Sequence, residues 1–347
     1  MAMNEKSDNI PSQPTSASAS KPTTSTTDIK ESPKPKNLLL TISPHLAGQE
    51  SVPKIMWTVV AALIPAVVFG VYNFGYKVLL TIIASITAAV VTEAIINKMR
   101  KKELTISDGS AVLTGLLLAM TLPPTFPIMY AALGSVFAIG IGKQIFGGLG
   151  YNIFNPALLG RAFLQASFSV KMTTWVAPIT IDAITTATPL GSFKFEKTLT
   201  PWFDLFIGNV GGCIGETSAL FIIIGGVFLL IKQYANWRIP VSYLGSVFLI
   251  GGLFWVLNPA EYPDPLFHLF SGGLMLGAFF MATDMVTSPI TPKGMWIYGC
   301  GAGLLLVTIR LFGGLPEGVM YSILIMDGFV PLINRYTRPA IFGEKKR

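Results

Sequence analysis

Charged residues are scarce in this chain of 347 residues. Lys, Arg, Asp and Glu make up 12% of it, about half the share in an ordinary soluble domain, while hydrophobic residues make up 51%. Apolar runs of about 20 residues recur along the sequence, which is the length that crosses a bilayer. The composition therefore excludes an ordinary soluble domain and predicts an all-α polytopic membrane protein. The basic residues cap apolar runs and form no patch with aromatics, which argues against nucleic-acid binding.

Cysteine and histidine are almost absent. Cys213 and Cys300 lie 87 positions apart, which gives no CxxC motif, no metal-ligand spacing and no disulfide framework. We expect both to be small buried residues. His45 and His268 are too far apart to form a His pair, so no metal site is predicted. The stretch GIGKQ (140–144) lacks the Ser or Thr and the first Gly of a phosphate loop.

The apolar runs divide the chain into regions. Residues 1–36 are rich in Ser, Thr, Pro and Lys, which predicts a disordered cytoplasmic tail, and 37–51 form a short lead to the membrane. We expect a first membrane repeat over 37–169, an extracytoplasmic loop over 170–216, a second repeat over 217–335 and a basic tail over 336–347. About ten transmembrane helices are predicted, at 55–73, 77–97, 109–123, 128–147, 153–169, 217–233, 239–257, 267–287, 294–313 and 316–334.

The basic residues predict an orientation, because Lys and Arg are enriched in cytoplasmic loops. With the N-terminus inside, the cytoplasmic charges are Lys98, Arg100, Lys101, Lys102, Lys143, Lys232, Arg238, Lys293, Arg335, Arg338, Lys345, Lys346 and Arg347. The opposite loops NFGY, PPTFP, NPAEYPDPL and GGLP carry neither Lys nor Arg. Both termini are therefore expected in the cytoplasm. The lysines of the loop 170–216 (Lys171, Lys194 and Lys197) run against this pattern.

The two halves of the sequence resemble each other. In each, 23 positions separate a proline (Pro123, Pro289) from the phenylalanine of an FGG motif (Phe146, Phe312). Five spans in each half is an odd number, so the second copy is expected upside down relative to the first, with sites near the interface of the repeats. The alternative is chance similarity between Gly-rich helices, because small residues are common where membrane helices pack.

Four acidic residues fall within or near apolar spans. Asp284 and Asp327 lie inside spans 8 and 10, and both are candidates for an ion path. A charge at the centre of a membrane helix costs at least ~2.5 kcal/mol, so it is usually functional or paired. The alternative for Asp284 is a carboxylate that caps a half-helix. Glu93 and Glu216 are expected to reach the membrane interface.

The stretch DAITTATPL (182–190) interrupts the apolar pattern. We expect Pro189 to end any helix and to hold Thr188 in an extended conformation, with its hydroxyl free on a loop. Asp182 is placed to accept hydrogen bonds from the loop backbone. The alternative is an ordinary solvated turn rich in threonine.

Four motifs together resemble one known family over residues 37–340. They are SDGSAVLTGLLLAMTLPP, GLGYNIFNPALLGRAF, DAITTATPL and FFMATDMVTSP. The family comprises the D subunit of the Rnf complex and the B subunit of the sodium-pumping NADH:quinone reductase. In it, a flavin transferase joins FMN through its phosphate to the last threonine of a D-x-x-[ST]-[GST]-A-T motif. The resemblance implies a flavin on Thr188, with Asp182, Thr185, Thr186 and Ala187 as the recognition context. Thr186 stands where relatives often have Gly.

The same resemblance implies the wider function. It implies electron flow between ferredoxin and NAD⁺ coupled to Na⁺ or H⁺ movement, in the cytoplasmic (inner) membrane, with the other Rnf subunits (A, B, C, E and G) as partners. Thr188 would be a tether, and no residue is expected to be catalytic. A second, non-covalent flavin, riboflavin or FMN, is a further implication, and we place it around Asn155, Pro156 and Arg161. Two alternatives stay open: a secondary transporter with no redox cofactor, and a scaffold subunit.

Overall fold

The computed structural model describes residues 50–102, 105–178, 187–208, 210–216 and 218–339. Helices form the regular structure of this part of the chain. The first half contains α1 (Val52–Phe74), α2 (Tyr76–Met99), a short 3-10 helix (Ile106–Asp108), α3 (Ser110–Met120), α4 (Ile128–Phe137), its π-helical continuation (Ala138–Gln144) and α5 (Pro156–Ser167). The segment between the two halves contains α6 (Ser169–Met172), α7 (Pro189–Glu196) and α8 (Trp202–Ile207).

The second half follows α8 in the chain. It contains α9 (Ala219–Ile231), α10 (Arg238–Leu257), α11 (Pro265–Phe270), α12 (Leu274–Leu276), its π-helical continuation (Gly277–Met281), α13 (Pro292–Phe312) and α14 (Val319–Tyr336). A helix thus lies at each of the ten predicted places. Among the described residues, α1, α2, α10 and α13 are long and apolar enough to cross a membrane, judged by length and composition. The chain is a multi-pass membrane protein of the all-α class, while the count of ten crossings stays a prediction.

Several helices begin with the same sequence device, a polar residue followed by proline. Asn155, Thr188, Asp264 and Thr291 each cap a helix whose first residue is Pro, and each cap side chain accepts a hydrogen bond from a backbone N–H of the first turn. The cap satisfies a donor that has no partner within the helix, and proline has no such donor to lose. This device fixes where α5, α7, α11 and α13 start.

The packing of the two halves follows one pattern. In the first half α2 packs against α3 and α4, and in the second half α10 packs against α11 and α13. Helices at equal places also meet across the halves, because α1 contacts α9 and α5 contacts α14. A two-fold relation between the halves would bring such pairs together. The packing therefore supports the predicted repeat, and its inverted orientation stays a prediction.

Some helices are too short to cross a bilayer alone. The helix α3 has 11 residues, which is ~16 Å at 1.5 Å per residue and about half of the hydrocarbon thickness. In the second half, α11, α12 and the π-helical segment replace one continuous span. Breaks of this kind place backbone ends and polar side chains inside the protein, where they line cavities.

Candidate functional site

Thr188 caps the N-terminus of α7. Its backbone is extended, with φ −68° and ψ 156°, and its Oγ1 accepts a hydrogen bond from the backbone N of Gly191 at 3.1 Å. The extended conformation expected for Thr188 is confirmed. Pro189 is the first residue of α7, a helix that the sequence did not predict, while the residues that precede Ala187 lie outside the described ones. Proline suits this position since its ring already holds the φ angle of a helix.

The sequence suggested that the Thr188 hydroxyl is free on an open loop, but the structure places it elsewhere. Thr188 is 5% exposed and borders a small cavity, called here the Thr188 cavity. The Thr188 cavity is lined by Thr188, Pro189, Leu190, Leu205, Val210, Gly211, Gly212, Glu216, Phe270, Gly272 and Glu317. The hydroxyl therefore lies at the N-terminus of a helix, beside a cavity. Helix N-termini favour phosphate because their N–H groups and dipole attract negative charge.

The structure describes only one of the other residues of the predicted recognition motif. Ala187 is exposed and lies next to Thr188. Asp182, Thr185 and Thr186 lie outside the described residues. The roles predicted for these four residues stay predictions.

Lys194 joins α7 to the end of α13. Its Nζ donates hydrogen bonds to the carbonyl oxygens of Arg310 (3.3 Å) and Leu315 (3.1 Å), and also to that of Gly313. Carbonyl groups at a helix C-terminus lack partners within the helix, and the helix dipole favours a cation there. Partial burial lowers the pKa of the Lys194 ammonium. The lysine that ran against the charge pattern of the loops thus has a structural partner.

An apolar contact holds the other side of α7. Leu190 packs in a small cluster with Leu205 and Phe267. Gly272 lies against this cluster in a left-handed conformation, with φ +67°, and a Cβ at this position would lie 2.8 Å from Cδ1 of Leu190. Only glycine allows both the backbone conformation and this close approach. The start of α7 is thereby fixed against the break between α11 and α12.

A second, larger cavity adjoins the first and is called here the Arg161 cavity. It is lined by Met120, Thr121, Leu158, Arg161, Gln165, Met172, Thr173, Trp175, Glu216, Gly273, Leu276, Met281, Arg310, Leu315, Pro316, Glu317, Val319, Met320 and Tyr321. Glu216 and Glu317 line both cavities. The two cavities therefore share a wall of acidic side chains.

Charged side chains in that wall are paired within the protein. Arg161 and Glu317 form a salt bridge that is largely buried. Glu216 accepts a hydrogen bond at its Oε2 from the backbone N of Cys213 at 3.1 Å. The ligand atoms of Cys213, Glu216 and Glu317 lie within 4.8 Å of one another. Because Arg161 already supplies a positive charge to this group, the arrangement suits an ion pair better than a metal site. Glu216 is 9% exposed, and its expected place at the membrane interface stays a prediction.

Arg310 approaches the same cavity from α13. Its Nη1 donates to the carbonyl oxygen of His268 at 2.6 Å, and its Nη2 donates to that of Ser271 at 2.9 Å. These carbonyls lie at the C-terminal end of α11, where the chain breaks before α12. The side chain thus caps a broken helix with a positive charge. Arg310 is missing from the residues predicted from the sequence, although a charge at membrane depth is as costly on arginine as on aspartate and would have indicated it.

A third cavity lies elsewhere between the two halves and is called here the Asp284 cavity. It is lined by Ile55, Met56, Val59, Ser110, Leu113, Thr114, Leu117, Lys143, Leu149, Asn152, Asn155, Pro156, Ala157, Leu229, Tyr234, Ala235, Phe280, Thr283, Asp284, Met285 and Val286. The three residues around which a second flavin was predicted therefore line two different cavities. Asn155 and Pro156 line this cavity, whereas Arg161 lines the other.

Lys143 and Glu93 form a buried ion pair beside the Asp284 cavity. The Lys143 Nζ lies 2.9 Å and 3.0 Å from the two carboxylate oxygens of Glu93, and it also donates to Oγ of Ser110 at 2.5 Å. Both charged residues are 1% exposed. Glu93 and Lys143 thus meet inside the protein. The expected places of Glu93 at the membrane interface and of Lys143 on the cytoplasmic side stay predictions. A buried charge is tolerated when its partner and hydrogen bonds replace water.

The two aspartates of the predicted ion path have different surroundings. Asp327 is fully buried, where it accepts hydrogen bonds from the Tyr298 hydroxyl (2.7 Å) and the backbone N of Asn155 (3.0 Å). Asp284 is partly buried and accepts 3.4 Å hydrogen bonds from Val286 N and from the hydroxyl of the nearby Thr287. Local bonds of this kind fit the capping alternative for Asp284.

The two cysteines have different environments. Cys213 is buried, as expected, but Cys300 is exposed on α13, so the expectation for Cys300 was wrong. An apolar thiol on a membrane helix has no need to be inside the protein, because lipid is as apolar as the core.

Comparison with known proteins finds relatives along nearly the whole chain. The chain is 50% identical over 324 residues to the D subunit of the proton-translocating ferredoxin:NAD⁺ oxidoreductase complex of Clostridium ljungdahlii, covering 90% of this chain and 98% of that protein. It is 47% identical over 315 residues to the D subunit of the Na⁺-translocating ferredoxin:NAD⁺ oxidoreductase complex of Acetobacterium woodii, covering 89% and 96%.

A more distant relative agrees with these two. The D subunit of the ion-translocating oxidoreductase complex of Stutzerimonas stutzeri is 39% identical over 333 residues, covering 86% of this chain and 94% of that protein. The sequence pattern of the NQR2, RnfD, RnfE family matches residues 39–343. The resemblance seen in the four sequence motifs is thereby confirmed, and the chain belongs to the NQR2, RnfD, RnfE family.

Proposed function

We propose that this chain is the flavin-carrying D subunit of an Rnf-type complex, with FMN joined to Thr188 through a phosphoester. The complex couples electron transfer between reduced ferredoxin and NAD⁺ to the translocation of Na⁺ or H⁺. The names of the relatives support the class of reaction, and both ions occur among them. The observation that carries the flavin proposal is the position of the Thr188 hydroxyl, at the N-terminus of α7 and beside a cavity.

The residues around Thr188 fit a phosphoester. A P–O bond to Oγ1 would form as the Thr188 hydroxyl loses its proton and as the P–O bond to the leaving group of the flavin donor breaks. The net change in the chain is the addition of FMN less one water. Pro189 has no backbone N–H, and the Gly191 N–H is bonded to Thr188 Oγ1, so Leu190 supplies the N–H of the first turn that is left for the phosphate. The helix dipole adds a partial positive charge. Gly211 and Gly212 border the same cavity and bring no side chain into it. The hydrogen bond from Gly191 N to Oγ1 would keep the ester oxygen in its place.

The flavin supplies the redox chemistry, accepting and passing on electrons, and the protein holds it and sets its surroundings. Thr188 fixes one end of the flavin. The adjoining Arg161 cavity is lined by apolar residues such as Leu158 and Leu276, together with charged residues. An apolar pocket with few polar groups is typical of cofactor sites.

A second, non-covalent flavin is proposed for the Asp284 cavity. Asn155 caps α5 there with its Oδ1 and donates from its Nδ2 to the carbonyl oxygen of Met281 at 3.2 Å. Lys143 and Asn152 add further polar groups to a mostly apolar lining. Asn155 and Pro156 are kept as residues of this site. Arg161 is assigned to the cavity next to Thr188.

The proposal includes a cellular setting. The chain would lie in the prokaryotic cytoplasmic membrane with both termini inside, in contact with lipid and with the other Rnf subunits (A, B, C, E and G). A flavin transferase would recognise Asp182, Thr185, Thr186 and Ala187 and load Thr188. Asp284 and Asp327 are proposed for the ion path, and the bond between Asp327 and Asn155 N supports it by linking the two halves.

One experiment tests the flavin proposal directly. The chain is produced together with its flavin transferase and run on a denaturing gel under ultraviolet light. We expect a fluorescent band for the wild type and for Thr200→Val, a matched change in the same loop, and a dark band for Thr188→Val. A dark wild-type band, with the transferase shown to be active on another substrate, would overturn the proposal. It would then favour a cofactor-free transporter or a scaffold protein.

A further inference from the structure

An open groove lies beside the starts of α10 and α13, and it is called here the Trp237 groove. It has a volume of about 630 Å³, and its lining includes Trp237 and Ile239 from the start of α10 and Ile290 and Met295 from around the start of α13. The groove adjoins the Asp284 cavity, because Tyr234 lines both.

The groove lies where two membrane helices begin. The helices α10 and α13 run parallel, because Ser242 Oγ donates to the carbonyl oxygen of Met295 and Ser246 Oγ donates to that of Gly299, both at 3.5 Å. The partners are four residues apart on each helix. Both helices are long and apolar enough to cross a membrane. They therefore enter the membrane at the same surface, and the Trp237 groove lies at that surface.

Aromatic and apolar side chains mark the side that faces lipid. Trp237 and Trp296 meet edge to face with 6.2 Å between their ring centroids, and both are exposed. Tryptophan is enriched at the boundary between membrane and water, because its ring is apolar and its N–H is polar. One turn further along α10 lies Val241, and one and two turns further along α13 lie Cys300 and Leu304, all exposed. This exposed strip suits acyl chains.

Basic side chains lie around the groove. Arg238 follows Trp237, and its guanidinium carbon lies 5.2 Å from the centroid of the Trp237 ring. Lys293 lies in the first turn of α13, two positions before Met295, and Lys232 lies at the end of α9. None of these three cations forms a salt bridge within the described part of the chain.

The acidic residues nearby do not cancel these charges. Glu50 accepts a hydrogen bond from the Tyr234 hydroxyl at 2.5 Å, but its carboxylate is already paired with the Lys54 ammonium at 2.9 Å. Asp284 lines the adjoining Asp284 cavity and does not line the groove. The rim of the groove is therefore positive and complements an anion.

We infer that the Trp237 groove binds the headgroup of an anionic phospholipid. Its phosphate is bound by Arg238 and Lys293, and its acyl chains run along the exposed strip of α10 and α13. Basic pockets between membrane helices are suited to anionic headgroups, since the surface charge of the lipid attracts Lys and Arg. An acidic segment of another protein would leave the tryptophan pair and the apolar strip unexplained. The inference does not depend on a flavin at Thr188.

The test measures lipid preference beside the groove in the purified full chain. Cys213 is buried, so a small fluorescent label is attached to the exposed Cys300. The labelled chain is placed in phosphatidylcholine bilayers that contain increasing fractions of phosphatidylglycerol with brominated acyl chains, which quench the label on contact. The wild type is compared with the double variant Arg238→Gln with Lys293→Gln. Its control is Lys98→Gln with Lys101→Gln, which removes two exposed charges at the end of α2.

We expect the wild type and the control to favour phosphatidylglycerol over phosphatidylcholine. The preference should fall about 20-fold in the Arg238 and Lys293 variant, since each cation at an anionic membrane surface contributes a factor of about 5. Equal losses in the two double variants would overturn the inference, because they would show a general attraction of the protein surface. If the first double variant fails to fold, Lys293→Gln alone decides, with a loss of about 5-fold expected and no loss overturning the inference.

Two further outcomes separate the lipid from other anions. Adding inorganic phosphate should leave the preference unchanged, and loss of the preference at a phosphate concentration where sulfate has no effect would assign the groove to free phosphate. A wild-type chain with no preference between the two lipids would overturn the lipid site and favour an acidic segment of another protein.

Discussion

Lys194 donates a hydrogen bond from its Nζ to the carbonyl oxygen of Arg310 at 3.3 Å. This contact ties the helix that begins at Thr188 to the C-terminal end of α13, in the second half of the chain. The position of Thr188 therefore depends on packing far away in sequence. It does not depend on the DAITTATPL stretch alone.

Replacing Lys194 by Met should loosen α7. The change removes a cation that donates to three carbonyl groups, and we expect a loss of about 1 kcal/mol in the free energy of unfolding, since the side chain is partly exposed. Chymotrypsin should cut the exposed Phe195 faster in this variant. The matched control is Lys197→Met, because the Lys197 ammonium lies over the Phe193 ring. Equal cleavage rates for the two variants would show that Lys194 does not fasten the helix.

Breaking the buried pair of Glu93 and Lys143 should be costly. Glu93→Leu leaves a buried ammonium without its partner, which we expect to lower the free energy of unfolding by about 3–5 kcal/mol. The double variant Glu93→Leu with Lys143→Met removes both charges and should recover much of this loss in the free energy of unfolding. Unfolding in detergent of the wild type, Glu93→Leu, Lys143→Met and the double variant measures the coupling between the two side chains. Strictly additive losses would argue against a coupled pair.

The contact between α10 and α13 depends on small residues. A Cβ at Gly303 would lie 3.0 Å from the carbonyl oxygen of Tyr243 and would also meet the Ser246 side chain. We expect Gly303→Ala to lower the free energy of unfolding by about 1–2 kcal/mol, because overpacking forces the helices apart. Gly245→Ala in α10 meets nothing within 4 Å and should be neutral or stabilising. Equal stability of the two variants would contradict close packing at Gly303.

Changes at the two aspartates of the proposed ion path should affect ion transport more than flavin content. We expect Asp284→Asn and Asp327→Asn to lower ion transport into vesicles more than they lower the gel fluorescence of the chain. The larger loss should come from Asp327, which is fully buried and bonded to Tyr298. Tyr298→Phe keeps the Asp327 side chain and controls for the lost hydrogen bond. Wild-type transport in both aspartate variants would make these residues structural.

The sequence predicted the class of fold and the places of the apolar helices in both halves, because apolar length is a strong signal in a membrane protein. It did not predict the short helices α6, α7 and α8 of the loop. It did not predict that Thr188 begins a helix. That signal was present, since Thr188–Pro189 repeats the polar residue and proline seen at Asn155–Pro156 and Thr291–Pro292. Proline was interpreted as the end of a helix when it also suits the first position.

The burial of the charged residues was harder to predict. Glu93 and Lys143 are 50 residues apart, and nothing in either segment shows that the two side chains meet. The same holds for Arg161 and Glu317, which come from opposite halves of the chain. Pairing of this kind depends on the tertiary contact between helices, which a single sequence does not encode in its local pattern.

Mass spectrometry of the tryptic peptide 172–194 tests the covalent flavin most directly. The chain is produced with its flavin transferase, digested and fragmented, so that the modified residue is located. We predict the mass of the peptide plus FMN less one water, with the added mass on Thr188. An unmodified peptide, or the same added mass on Thr185 or Thr186, would contradict the assignment of the flavin to Thr188.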